Sequence, residues 1–265
     1  MIRGCWKIGF VLAAAVVLGG CATTASQSEP FSGREGMDRV SPIRAAEVNT
    51  RLGIGYMERD QLQLAIEKLQ TALEFDPQHT PAHLTLALIY DRLGRSAAAG
   101  EHYRRASELA PNDGPTQNAF AVYLCQRGDF PAADRHFRRA MEDAFYNTPE
   151  LAYGNAGACA RRAGELEKAE EYLRQALDLD PNYPDALFQL SELKLEAGDP
   201  FRARAFLQRL ESVSAADPAA LVLGYNIESE LNNAALADRY ASRLEQLFPE
   251  SSQARALRGL RQNDD

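Results

Sequence analysis

Cut at residues 46, 80, 114, 150, 184 and 218, the chain falls into six segments in which equivalent positions carry the same kinds of residue. The step is 34 residues, except from 114 to 150, where it is 36. Position twenty of each segment is a small residue: Ala65, Ala99, Ala133, Ala169, Ala203 and Ala237. Position twenty-seven reads Ala72, Ala106, Ala140, Ala176, Leu210 and Leu244, and position twenty-four reads Leu69, Tyr103, Phe137, Leu173, Leu207 and Ala241. Apolar residues spaced by three and four mark an amphipathic helix in the second half of every segment. Such a unit cannot bury its apolar face alone, so the segments must stack on one another.

The first halves follow the same rule. Leu52 and Tyr56, Leu86 and Tyr90, and Phe120 and Leu124 lie four apart on one helical face, and Leu187 and Leu190 lie three apart. Gly94, Gly128, Gly164 and Gly198 all fall at position fifteen, where a tight turn needs positive φ at little steric cost. Pro77, Pro111, Pro181 and Pro249 fall at position thirty-two, where proline stops the second helix. Each segment therefore reads as helix, turn, helix, stop.

This pattern resembles the tetratricopeptide repeat, and the resemblance implies an all-α superhelix of about six helix-turn-helix units over 46–251, with 252–265 as a helix end and tail. Segment five, with Ser191 and Lys194 and no terminal proline, and segment six, with Tyr225 at a small-residue position, depart from the pattern. Arrays of this kind bind other polypeptides along a concave surface. Positions five, nine and twelve of the first helices are expected to face that groove, giving Leu84, Leu88, Asn118, Val122, Arg161, Phe188 and Leu195. Leu84, Leu88 and Val122 would form an apolar strip for a bound peptide. The periodicity is satisfied equally well if they pack against neighbouring helices.

The first twenty residues read as a leader. Arg3 and Lys7 precede an apolar run, Ile8 to Leu18, that is too short to span a bilayer. The run ends in Leu18-Gly19-Gly20-Cys21, which resembles the bacterial lipobox. That resemblance implies cleavage after residue 20 and lipid on Cys21, while Ala22, in place of aspartate, points to the outer membrane, with the protein on its periplasmic face. Several acyl chains at about 0.8 kcal/mol per buried methylene anchor far more firmly than a single chain. Residues 21–45, rich in Ser, Thr, Gly and Pro, are expected to form a lipidated flexible tether. Losing Arg3 and Lys7 takes the net charge from -8 to -10, which argues against a nucleic-acid partner.

Catalytic chemistry finds no support in the motifs. His79, His83, His102 and His136 lack metal-site spacing, and no phosphate loop or nucleophile motif occurs, so no cofactor, metal or small-molecule substrate is expected. Cys125 and Cys159 both fall on first helices of adjacent segments. An oxidising compartment allows them to join, and as free thiols they would serve as small buried hydrophobes. The two extra residues of segment three lie in Asp143-Ala144-Phe145-Tyr146-Asn147-Thr148-Pro149-Glu150. Phe145 and Tyr146 read first as a plug for the gap the insertion opens, and second as a loop presented to a partner.

Taken with Tyr123-Leu124-Cys125-Gln126-Arg127-Gly128-Asp129-Phe130 and Asn155-Ala156-Gly157-Ala158-Cys159, the insertion is similar to that of the type IV pilus biogenesis and stability lipoproteins, the PilF/PilW family. The resemblance implies a pilotin that helps the secretin subunit reach the outer membrane and assemble there, supporting pilus biogenesis and twitching motility. It also implies that Cys125 and Cys159 are bonded and that the groove of the early repeats touches the secretin. A periplasmic repeat lipoprotein serving murein synthesis or outer-membrane protein assembly is the competing role.

Overall fold

The computed structural model describes residues 41–263; the leader, Cys21, the rest of the tether up to residue 40 and the last two residues lie outside them. Thirteen helices and no strand occur among the described residues. Repeat one pairs α1 (Pro42–Glu58) with α2 (Leu62–Phe75), and repeat two pairs α3 (Thr80–Arg92) with α4 (Ser96–Leu109). Repeats three and four are α5 (Gly114–Gln126) with α6 (Phe130–Glu142) and α7 (Pro149–Arg162) with α8 (Leu166–Leu179). Repeats five and six are α9 (Pro184–Glu196) with α10 (Pro200–Val213) and α11 (Pro218–Glu230) with α12 (Ala234–Leu247), followed by α13 (Ser252–Asn263). Each helix packs on its successor, and first helices also touch at α1–α3, α5–α7, α7–α9 and α9–α11, which is the superhelix that the period implies.

The alanines at position twenty are buried in every repeat, as are the residues at twenty-four and twenty-seven. Close approach within a pair is set at position eight: a Cβ on Gly53 would lie 2.6 Å from Leu69 Cγ, and one on Gly157 2.6 Å from Leu173 Cγ. Ser191 takes this place in repeat five and donates its hydroxyl to the Ala203 carbonyl at 2.8 Å. Repeat six reverses the sizes. Tyr225 packs into the cluster that holds Ala241, so the large side chain comes from the first helix and the small one from the second.

All six turns share one geometry. Position fifteen has positive φ in each, at Gly94, Gly128, Gly164 and Gly198 but also at Asp60 and Asn232. The following amide bonds back to the carbonyl five residues earlier, as in Arg95 to Tyr90 at 2.8 Å and Asn233 to Glu228 at 2.8 Å, closing each first helix with a Schellman cap.

Two boundaries differ from the sequence reading. Helix α1 begins at Pro42 rather than 46, because Ser41 accepts the Arg44 amide at 3.2 Å and Pro42 presets the first helical φ. Residues 252–263 form a separate helix, started by the Ser251 hydroxyl accepting the Ala254 amide at 3.1 Å. Ala254 and Leu257 of α13 are buried with Leu221 and Leu244, so this helix covers the last repeat.

Candidate functional site

The proposed groove residues do not form one open strip. Leu88 is 42% exposed, but Leu84 is half-buried against the core of repeats one to three, and Val122 against that of repeats three to six. Asn118 is buried and accepts a hydrogen bond from Asn155 at 3.2 Å, tying α5 to α7. Phe188 and Leu195 are half-buried against the same large core. Arg161 reaches Gln189 at 3.0 Å and pairs with Glu192 and Glu196, so its charge is spent on α9. These side chains mainly lock first helices together.

The insertion separates its two aromatics. Tyr146 is only 9% exposed and sits where a Cβ on Gly114 would be, 2.7 Å from its Cγ, so it is the plug. Phe145 is 90% exposed, its amide held by Asp143 Oδ1 at 2.9 Å while Asp143 Oδ2 accepts the Gly114 amide at 2.8 Å. The same carboxylate thus ties the backbone of the insertion to the start of α5. The sulfurs of Cys125 and Cys159 are joined across α5 and α7, with the Cα atoms 5.8 Å apart.

Buried and half-buried polar groups link the helices of repeats two and three. Gln117 is fully buried and donates to the Ser107 and Ala110 carbonyls, both at 3.0 Å, so its oxygen must accept from His136 Nδ1 at 2.7 Å. On α3 and α4, His83 Nε2 meets the Pro77 carbonyl at 3.1 Å, which makes it the donor. His83 Nδ1 then accepts from His102 Nδ1 at 2.9 Å. Loss of hydration lowers the pKa of all three imidazoles. Among the described residues no group of three or more His, Cys, Asp or Glu is placed to hold a metal ion.

An open apolar face lies at the start of the array. Positions three, seven and ten of a first helix lie on one face, and in repeat two they are the buried Ala82, Leu86 and Ile89. In repeat five they are the buried Ala186, Leu190 and Leu193. In repeat one they are Val48, 40% exposed, Leu52, 46% exposed, and Gly55, beside which a Cβ would meet nothing within 4 Å. No described helix precedes α1 to cover this face. Comparing the same three positions along the sequence would have revealed the stripe; periodicity within each helix did not.

Two tetratricopeptide repeat models match the chain, one over 56–121 and 160–223 and the other over 113–182, so together they run unbroken from 56 to 223. The chain belongs to the tetratricopeptide-repeat family. Within that family it is 24% identical, over 245 residues, to the type IV pilus assembly protein PilF of Pseudomonas aeruginosa, covering 92% of this chain and 95% of that one. The crystal structure of PilW, a widely conserved type IV pilus biogenesis factor, superposes with a TM-score of 0.75 and 29% identity over 80% of this chain and 97% of that one. The structure of P. aeruginosa PilF gives 0.72 and 22%, covering 82% and 98%.

Proposed function

We propose that the protein is a lipid-anchored pilotin of the outer membrane, which captures the secretin subunit of a type IV pilus system and promotes its localisation and assembly. The exposed Val48–Leu52–Gly55 face carries this reading: it has the residue types of an inter-repeat interface and no described helix upon it. An amphipathic segment of the secretin, laid along α1, takes the place of a preceding repeat. The likeness to PilF and PilW supports the pilus system as the setting, and the lipobox-like run at Cys21 supports the anchor. Binding rather than turnover suits an array whose polar clusters are consumed in tying helices together.

Deletion of the gene followed by fractionation tests the role. The expected result is monomeric or misplaced secretin, restored by the wild-type chain and not by a Val48→Glu, Leu52→Glu double variant of normal helicity. Intact secretin multimers with altered cell shape would instead favour murein synthesis. Labelling with palmitate that is lost in Cys21→Ser checks the anchor.

A further inference from the structure

The connection between repeats five and six is built differently from its neighbours. Helix α10 ends at Val213 and α11 begins at Pro218, with only Ser214, Ala215, Ala216 and Asp217 between them. At the two preceding connections a tyrosine folds back onto a first helix: Tyr146 lies against Gly114, and Tyr183 against Gly154, where an added Cβ would come within 2.7 Å of its ring. The small-residue connection has no such ring. A cavity of about 350 Å³ lies there instead, floored by Phe188, Leu210, Ala219 and Leu221.

Asp185, Glu211 and Asp217 stand at its rim with one guanidinium, that of Arg243. Arg243 is already paired with Glu211 at 2.9 Å, and Glu211 also accepts the Tyr240 hydroxyl at 3.0 Å. One oxygen of Asp217 accepts the Ala219 and Ala220 amides, and one oxygen of Asp185 accepts the Tyr183 hydroxyl at 3.2 Å, which leaves a second oxygen on each. The rim is therefore net negative around an apolar floor.

We propose that this pocket is a binding site for an aromatic side chain of a partner polypeptide, presented beside a lysine or arginine. Phe188 stands where Gly154 receives Tyr183 in the preceding repeat and gives the cavity an aromatic floor, the volume admits a ring upon it, and the surplus carboxylates select a cationic neighbour. The site belongs to the last two repeats and does not depend on the α1 face or on secretin capture.

Titration of the full-length chain with acetyl-Lys-Tyr-Lys-amide, followed by amide NMR, tests the proposal. Saturable shifts are expected at the amides of Ala215 to Asp217 and Ala219 to Leu221. They should vanish with acetyl-Lys-Ala-Lys-amide, and affinity should fall about threefold with acetyl-Glu-Tyr-Glu-amide, the scale of one or two exposed ion pairs. Ala216→Tyr, at an exposed position, supplies a ring in cis and should abolish the shifts while leaving the circular dichroism unchanged. Absence of saturable shifts at these amides, equal shifts with the alanine peptide, or undiminished binding in Ala216→Tyr would overturn the site. Wild-type dimers that Ala216→Tyr converts to monomers would show that a second copy occupies the pocket, which also overturns it.

Discussion

Single side chains in this array have roles that depend on what the repeat leaves around them. The imidazoles of His83, His102 and His136 are held neutral by burial, so their folded pKa values lie below the ordinary 6.5. The unfolded chain therefore takes up protons first as pH falls, and stability is full above about 6.5 and declines below it. A falling thermal midpoint between pH 7.5 and 5.5 is expected, and His83→Gln with His102→Gln should flatten part of that slope. Glu170, kept below the usual carboxylate range by Lys194, stays ionised throughout this window and does not contribute to it. The Cys125–Cys159 bridge closes a loop of 34 residues, which on the chain-entropy model stabilises by about 4 kcal/mol. Reduction is expected to lower the thermal midpoint by about 10 °C in a differential scan. The sequence places Cys125 and Cys159 on adjacent first helices, where a bond is allowed and the family resemblance implies one, whereas the role of His136 leaves no such trace. Its tautomer depends on a buried glutamine whose nitrogen is committed to two carbonyls, and no spacing rule encodes that.

At the scale of the helix, small residues divide into those that permit contact and those that face open space. Gly157→Ala would push a Cβ to 2.6 Å from Leu173 Cγ and 3.2 Å from the Ala169 carbonyl, so denaturant titration should register a loss of about 1–3 kcal/mol. Gly55→Ala meets nothing, and the better helix former should add about 0.5–1 kcal/mol by the same measurement. Helices and turns were legible because period, glycine and proline coincide. Asp60 and Asn232 show where that reading thinned: they adopt the φ of the turn glycines without being glycine, so only their place in the repeat reveals them. The groove positions stay open between two readings in the sequence for a related reason. Periodicity identifies a face of α3 or α5, but the helix packed against that face decides whether Leu84 or Asn118 is open.

At the largest scale, the described repeat array has unlike ends. At the finish, α13 buries Ala254 and Leu257 over Leu221 and Leu244, while the start exposes an interface-type face on α1. Leaving out residues 252–265 should bare Leu221 and Leu244, lowering the cooperativity of the last repeat's unfolding and speeding amide exchange in α11 and α12 more than in α3 and α4. A rod with two matching apolar ends could join nose to tail, and a contact of that kind that does not close into a ring grows without limit into fibres. The thirteenth helix removes the second matching end. The last repeat of one copy therefore has no open face to set against the Val48–Leu52 face of the next, and end-to-end growth is cut off at its second partner.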